Sequence, residues 1–196
     1  MSGSCHRGSR LLAIASAVLG LALLADAGYV HAKAWLAQHL LERAWQRTLV
    51  DGGRHAPWPW SEAVPVARLS APRLATTRIV LGGDDGRALA FAPGWSGSTA
   101  PPGMPGLGVV SAHRDTHFRF LADLVVGDVL DVETRGGTRH YRVAAMRVVD
   151  ARTTRIDTDA GLDGLLLVTC WPFDAIDARG PLRYVVEAHA VRSGGA

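Results

Sequence analysis

From Pro65 to the C-terminus the chain is a succession of short β-branched and apolar runs separated by glycine, proline and aspartate. Such runs are typical of strands, and their separators are typical of turns. The runs are PVARL, TRIVL, LGVVSA, VLDVETR, TRHYRVAAMRVVD, GLLLVTC and LRYVVEAHAV. Almost no helical periodicity interrupts them, so the pattern predicts an all-β domain, either a barrel or a sandwich. The segment VETRGGTRHYRV predicts a hairpin with Gly136 and Gly137 at its tip.

Length and charge limit what accompanies this domain. With 196 residues, 48% of them hydrophobic, the chain can form one domain of about 100 to 150 residues plus an appendage. Its 21 lysines and arginines are interleaved with 18 acidic residues and leave a net charge of +3. Nucleic-acid binding usually requires a clustered basic face, so the scattered charges disfavour a nucleic-acid partner.

The N-terminal segment predicts a membrane anchor. Arg7 and Arg10 precede the run LLAIASAVLGLALLADAGYV, which only Asp26 interrupts. About 20 apolar residues span a bilayer as a helix, and basic residues before the span favour a cytoplasmic N-terminus. We therefore expect a cytoplasmic tail over residues 1–10 and a transmembrane signal anchor over residues 11–30. The alternative is a cleavable signal peptide, because LLADA resembles a cleavage site.

Residues 31–63 predict a stalk between the anchor and the domain, which is expected over residues 64–196. Apolar side chains recur near one helical face, at Trp35, Leu36, Leu40, Leu41, Ala44, Trp45 and Leu49. This face is expected to pack against the membrane surface or the domain. The following DGGRHAPWPWSE breaks the helix and predicts an ordered linker. Its Trp58 and Trp60 are expected to dock on the domain or on lipid headgroups.

Cys170 ends the apolar run LLLVTC and is the only cysteine outside the extreme N-terminus. A free cysteine often fills a core as a small hydrophobe, which is the first interpretation. In the predicted topology Cys5 is cytoplasmic and Cys170 lies outside, so the two cannot form a disulfide. An unpaired thiol in an oxidising compartment favours a reactive role, because a small aliphatic residue would fill the same space without redox liability.

A cysteine becomes a useful nucleophile when a base or a positive charge stands beside it. His113 is the candidate base, because it ends a predicted strand and opens into the loop RDTHF, where reactive side chains are often displayed. Arg183 begins the last predicted strand. If this strand neighbours the one that ends at Cys170, Arg183 comes close to the thiol and can donate hydrogen bonds to an oxyanion.

A metal site is the competing interpretation of these residues. HRDTH places His113 and His117 four positions apart, and Cys170 could complete a set of ligands. Histidines four apart suit zinc when they lie on a helix, whereas the preceding run here is strand-like and lacks the glutamate of HExxH. We therefore expect neither a metal nor a cofactor.

Three segments in a fixed order make a family resemblance specific. SAHRDTHFRFL, LLLVTCWPF and PLRYVVEA resemble the active-site segments of the sortases, membrane-anchored cysteine transpeptidases with an eight-stranded β-barrel. ARLSAPRL and PPGMPGLGVVSAHRD are also similar, so the resemblance covers residues 64–191. It implies a sortase-like eight-stranded β-barrel with short helices, preceded by a transmembrane helix and a stalk. The motifs HRDTHF and CWPFDA are most similar to those of the Gram-negative subgroup, class GN. This similarity implies a bacterial inner-membrane protein with a periplasmic catalytic domain.

The resemblance also implies roles for single residues. Cys170 matches the family's nucleophile, His113 its general acid/base and Arg183 its substrate-stabilising arginine. The usual TLxTC segment is LLVTC here, so Leu166 replaces the first threonine, whereas Thr169 and Cys170 remain. The expected substrate contacts are Thr169, Trp171 and Phe173. For the two aromatic residues, core packing is the alternative.

The implied activity is that of a cysteine transpeptidase, in the cysteine peptidase class of hydrolases. It would cleave an LPxTG-like C-terminal sorting signal through a thioester acyl-enzyme and transfer the acyl group to an unidentified amine acceptor. With water as the acceptor it would only hydrolyse. A non-catalytic, membrane-tethered β-barrel that binds an envelope protein is the alternative from another class. A papain-like hydrolase is disfavoured, because no helix-forming sequence surrounds Cys170 and His113 precedes it.

Overall fold

The computed structural model describes residues 3–157, 161–175 and 180–191, without the side chains of residues 3–15, 27, 30 and 31. The strands are β1 Pro65–Ala71, β2 Thr76–Gly82, β3 Gly94–Trp95, β4 Leu107–Ser111, β5 Val129–Thr134, β6 Gly137–Asp150, β7 Gly164–Cys170 and β8 Leu182–Ala190. They close into a barrel in the order β1-β2-β3-β4-β7-β8-β6-β5. Pairs β2–β3 and β4–β7 are parallel, and the other pairs are antiparallel. The predicted eight-stranded all-β barrel is confirmed.

The helical elements start with α1, which runs from Gly3 to Asp51. Within the barrel domain, α2 is the single turn Gly86–Leu89, and two 3-10 turns cover Pro72–Leu74 and Arg119–Asp123. Short helices of this kind match the predicted architecture. Asp85 caps α2, because its carboxylate accepts hydrogen bonds from the backbone N–H groups of Arg87 and Ala88.

The hairpin between β5 and β6 is confirmed, with a tip one residue earlier than predicted. Thr134 pairs with Gly137, so Arg135 and Gly136 form the two-residue turn. Gly137, the first residue of β6, has a φ of 116°, a conformation that glycine adopts without steric penalty.

Strand β7 is buried on both faces. Leu165 and Leu167 lie in the barrel interior and are almost fully buried. Leu166 and Val168 point to the outer face, where they belong to a second apolar cluster. A strand buried on both sides reads as a continuous apolar run instead of an alternating one, which explains the sequence LLLV. Cys170 shares the parity of Leu166 and Val168 and therefore lies on the outer face of the barrel.

The last part of α1 packs on the barrel. Leu41 and Trp45 have no exposed surface and contact Ile79 and Leu81, which occupy the outer face of β2. The Trp45 indole N–H also donates a hydrogen bond of 3.2 Å to Glu133 on β5. The predicted packing of the stalk against the domain is therefore confirmed from Leu41 onward.

At the N-terminal end of the predicted apolar face, Trp35 is 70% exposed and Leu36 is 50% exposed, and the packing of these two side chains against a membrane surface stays a prediction. In the linker, Trp58 packs edge to face on Phe91 with ring centres 4.9 Å apart, whereas Trp60 is 81% exposed. The linker thus docks on the domain through one of its two tryptophans.

The predicted transmembrane segment, residues 11–30, begins among residues whose side chains lie outside the described part of the chain. Across the described residues, no helix has a stretch that is both long enough and apolar enough to cross a membrane. The anchor and the cytoplasmic tail over residues 1–10 stay predictions.

Candidate active site

Cys170 and Arg183 face each other across two neighbouring strands. Cys170 is the last residue of β7, Arg183 is the second residue of β8, and the antiparallel register pairs them directly. Directly opposed residues of such a pair have Cβ atoms about 4.5 to 5.5 Å apart. Both residues are half-buried, and Cys170 is a free cysteine. The predicted adjacency of the two strands is confirmed.

Strand β4 brings His113 to the other side of Cys170. The parallel pairing of β4 with β7 ends with Ser111 beside Val168, and the Ala112 N–H donates to the Val168 carbonyl at 3.2 Å. His113 follows Ser111 by two positions, as Cys170 follows Val168, so extrapolation of this register beyond the end of β4 places His113 beside Cys170. His113 is exposed. Three neighbouring strand ends therefore carry His113, Cys170 and Arg183 in one row, with adjacent strands about 4.8 Å apart.

Thr169 holds this row together from inside the barrel. Its side chain is almost fully buried, and its hydroxyl donates a hydrogen bond of 2.7 Å to the carbonyl of Ala112. The bond ties the residue before the candidate nucleophile to the residue before the candidate base. The predicted contact of Thr169 with substrate is not what this geometry offers, because the hydroxyl is directed into the barrel and bound to backbone.

Arg183 is oriented by the backbone around it. Its Nη1 donates to the carbonyls of Gly180 at 2.8 Å and Leu182 at 2.9 Å. These bonds hold the planar guanidinium at the edge of the row. An arginine held in this way presents a fixed fork of donors, a geometry that a flexible ammonium cannot reproduce.

A groove of about 470 Å³ runs along the outer face of β7 and β8 and has Arg183 at one end. Its floor consists of Leu166, Val168 and Val185, and its walls include Leu107, Ile156 and Leu162. The apolar lining is suited to the side chains of an extended peptide, with the candidate nucleophile one row beyond Val168. A cavity of about 500 Å³ lies elsewhere, against α2 and the linker, and contains none of the predicted site residues.

Charged residues occupy the side of the groove that is remote from Cys170. Arg147 and Glu187 form an ion pair of 3.0 Å there. The hydrogen bond from His189, together with the charge of Arg147, holds the pKa of Glu187 below its usual range. The groove therefore combines an apolar floor with a fixed carboxylate and guanidinium along one edge.

Trp171 and Phe173 pack with Tyr184 of β8 as an aromatic group. Ring centres are 5.6 Å apart for Trp171 and Phe173, 5.5 Å for Trp171 and Tyr184, and 5.2 Å for Phe173 and Tyr184. Phe173 also contacts the core of the barrel. These contacts favour the packing alternative for both residues. Contact with substrate stays a prediction for the surface that they leave exposed.

His117 lies four residues after His113 and is half-buried. Burial, together with the charges of Arg78 and His113, lowers the pKa of His117 from 6.5 to about 4. Burial likewise lowers the pKa of Arg78. As for the metal interpretation, no three His, Cys, Asp or Glu side chains of the described residues are grouped so that they could hold a metal ion.

Arg114 is the residue of this site that sequence reasoning missed. It is 2% exposed, although arginine is rarely buried, and it donates hydrogen bonds to carbonyls of the loop that follows Cys170. The sequence offers only a weak signal for this role, namely its position directly after His113. Its two partners across the site are backbone carbonyls, which leave no trace in the side-chain pattern.

The profile of the Sortase domain family matches residues 69–191, a segment that includes all three residues of the row. The chain belongs to the sortase family. Members of this family are cysteine transpeptidases that act on sorting signals. Membership agrees with the barrel topology and with the resemblance found in the sequence.

Known relatives support this assignment. Sortase D of Bacillus subtilis strain 168 is 30% identical to this sortase over 119 residues, which are 60% of each chain, so the match spans about 60% of that relative's length. The crystal structure of sortase C-1 from Actinomyces oris has a TM-score of 0.55 at 29% identity, over 65% of this chain and 74% of that one. The Clostridium perfringens sortase D5 transpeptidase has a TM-score of 0.63 over 80% and 98% of the chains, and at 19% identity it shows the fold alone.

Proposed function

We propose that this sortase cleaves an LPxTG-like C-terminal sorting signal and transfers the acyl group to an amine. The observation that carries the proposal is the direct pairing of Cys170 with Arg183, with His113 two residues beyond the end of the adjacent strand β4. A thiol between a base and a guanidinium suits nucleophilic attack on an amide, because both neighbours favour the negative charge that develops.

In the first step the Cys170 thiolate attacks the carbonyl carbon of the Thr–Gly-type bond. Arg183 donates hydrogen bonds to the oxyanion of the tetrahedral intermediate. His113, as imidazolium, then protonates the departing amine, the C–N bond breaks, and the acyl group stays on Sγ as a thioester.

In the second step an amine attacks the thioester carbon. Neutral His113 accepts the proton of the incoming amine, and the tetrahedral intermediate collapses with release of the Cys170 thiolate. The product contains a new amide bond. Water in place of the amine gives hydrolysis, so the relative rates of the two acceptors decide whether the protein is a transpeptidase or a peptidase.

The groove beside the row is the proposed binding site for the signal. Residues along a strand repeat on one face about every 6.6 Å, so Val168 lies one repeat from Cys170 and Leu166 lies two repeats away. An extended peptide has the same repeat. When its scissile bond is at Cys170, the apolar side chains upstream of that bond reach the floor formed by these residues.

We also propose that residues 11–30 anchor the chain in the inner membrane of a Gram-negative bacterium, with the catalytic domain in the periplasm. The support is the apolar run after Arg7 and Arg10 and the similarity to class GN. A periplasm-dependent reporter fused after Ala196 should give signal in the membrane fraction. Soluble, processed protein would contradict the anchor.

The test of the activity uses the full chain in detergent, an LPxTG-like peptide and hydroxylamine as the acceptor. We expect a threonine hydroxamate as the product. Cys170→Ala should give none, whereas Cys5→Ala, the matched substitution of the other cysteine, should react like the parent. Hydroxamate formation by Cys170→Ala, or its loss in Cys5→Ala alone, would contradict the proposed nucleophile.

A further inference from the structure

We propose that Arg114 is a positioning residue, which holds His113 against Cys170 by tying the segment after β4 to the loop after β7. This inference rests on the proposed function, because it assigns Arg114 a task in the same reaction. Arg114 acts through its position in the fold and its hydrogen bonds, and its side chain does not itself contact the substrate.

The guanidinium of Arg114 forms two bonds across the site. Its Nη1 donates to the carbonyl of Pro172 at 2.6 Å, and its Nη2 donates to the carbonyl of Ala175 at 2.5 Å. Its Nε donates to Asp115 at 3.1 Å. Both carbonyl partners belong to the loop that begins directly after Cys170, so one side chain connects the two segments that carry the candidate base and the candidate nucleophile.

The burial of the Arg114 side chain makes its two hydrogen bonds to backbone carbonyls necessary. The side chain of Arg114 is 3% exposed, whereas that of its carboxylate partner Asp115 is 62% exposed. A buried charge is costly unless its donors are satisfied, so the carbonyls of Pro172 and Ala175 must stay in place as acceptors. The planar fork of arginine satisfies both at once, which neither lysine nor glutamine can do.

Hydrogen bonds therefore connect the two segments on both sides of His113 and Cys170. Before His113 and Cys170, the Thr169 hydroxyl holds the Ala112 carbonyl. After them, Arg114 holds the Pro172 carbonyl. His113 and Cys170 lie between these two links, one on each segment, so the links fix the separation of the two backbones where the proton must be transferred.

The His113 side chain depends on this arrangement. The structure records no hydrogen bond between its exposed imidazole and any other residue within the described ranges. Its position is then set by its backbone, which the links at Ala112 and Arg114 define. Arg119 adds a weaker contact to the same loop, since its exposed Nη1 donates to the Phe173 carbonyl at 3.2 Å.

The experiment measures kcat and KM of Arg114→Gln and Arg114→Lys, each checked for folding by its thermal midpoint. We expect kcat of Arg114→Gln to fall by about 10², because a displacement of about 1 Å at a reacting group can cost that much. Arg114→Lys should fall less, since an ammonium can hold one of the two carbonyls. KM should stay near the parent value, because Arg114 does not line the groove. Arg142→Gln is the matched control: Arg142 donates to the Gly127 carbonyl on a remote exposed surface and should retain the parent kcat.

A second background separates positioning from a structural effect. In His113→Ala, Arg114→Gln should cause almost no further loss, because a residue that acts through His113 has nothing left to position. If Arg114→Gln lowers kcat in the His113→Ala background by the same factor as in the parent, the proposal is overturned. A folded Arg114→Gln with the parent kcat would also overturn it, as would, if glutamine prevents folding, a folded Arg114→Lys with the parent kcat. Failure of both variants to fold would make Arg114 a structural residue and also overturn it.

A substrate-free measurement separates this proposal from the proposed function. The rate at which iodoacetamide alkylates Cys170, followed by peptide mapping, requires no sorting signal. It should be slower in Arg114→Gln than in the parent, and equally slow in His113→Ala with and without Arg114→Gln. If the parent cleaves no peptide but this pattern holds, the proposed function fails and the positioning role stands. If alkylation of Arg114→Gln matches the parent, the positioning role fails.

Discussion

Apolar side chains lie on two parts of the outer surface of the barrel. One part is covered by α1, and the other lines a groove. On β2, Ile79 and Leu81 are covered by Leu41 and Trp45 of α1. On β7 and β8, Leu166 and Val168 form the floor of a groove of about 470 Å³. The covered face adds to the stability of the fold, whereas in the groove the partly exposed Val168 leaves apolar surface for a peptide. The difference predicts that substitutions on the first face change stability and that substitutions on the second change catalysis.

Trp45→Ala should have the largest effect. Loss of a fully buried tryptophan costs about 3 to 5 kcal/mol of unfolding free energy, and this one also donates to Glu133. Urea unfolding of the variant should show that loss, while kcat per folded molecule stays at the parent value. A variant with normal stability and reduced kcat would show instead that the covered face serves catalysis.

Arg183→Lys should give the opposite result at the groove end. An ammonium keeps the charge but not the fork of donors, and loss of one oxyanion donor costs about 10² to 10³ in rate. The thermal midpoint should stay near that of the parent, because the hydrogen bonds of this side chain within the described residues go to the nearby carbonyls of Gly180 and Leu182. Full activity of this variant would reduce Arg183 to a solvated strand residue.

Val168→Thr tests the groove floor with a nearly isosteric change. The substitution replaces one methyl group by a hydroxyl on a surface that is proposed to contact an apolar side chain of the peptide. Loss of one buried apolar group costs about 0.8 kcal/mol of binding free energy, which should raise KM about fourfold. The matched control is Val80→Thr, which makes the same change in the barrel core, where Val80 is 1% exposed. The control should lose stability and keep the parent KM. A parent KM for Val168→Thr together with a raised KM for Val80→Thr would contradict binding of the peptide in the groove.

His117→Gln should have the smallest effect, and only at low pH. The folded-state pKa of about 4 lies below the ordinary 6.5, so the unfolded chain binds the proton first as the pH falls from 6.5 to 4. His117 therefore costs stability in this window and costs nothing above it. Partial exposure limits the cost to about 1 to 2 kcal/mol. Urea midpoints at pH 7 and pH 4 should differ less in His117→Gln than in the parent; an unchanged difference would refute the assignment.

Local patterns were sufficient for much of the fold. Apolar runs identified seven strands, and the closeness of β7 and β8 in sequence made the pairing of Cys170 with Arg183 foreseeable. Strand β3 escaped detection because two residues carry no periodicity. The parallel pairing of β4 with β7 joins residues 57 positions apart, such as Ala112 and Thr169, and local propensity does not determine that register. The place of His113 beside Cys170 was thus expected from the family resemblance and not from spacing.

Burial of charged or polar groups was the least predictable feature. Arg114 and Thr169 both look like ordinary loop or strand residues, yet both bind backbone carbonyls inside the site. Helical periodicity predicted an apolar face on α1 but did not indicate that Leu41 and Trp45 pack on Ile79 and Leu81 of β2. Tertiary contacts, which a sequence pattern does not contain, decide each case.

The mass of the acyl-enzyme identifies the nucleophile most directly. The full chain is incubated with an LPxTG-like peptide in the absence of an amine acceptor, quenched in acid and digested for mass spectrometry. We expect an adduct on Cys170 that equals the peptide up to its threonine, is reversed by hydroxylamine and is absent from Cys170→Ala. An adduct on another residue, or one that survives in Cys170→Ala, would contradict the central claim that the outward-facing cysteine at the end of β7 is the nucleophile.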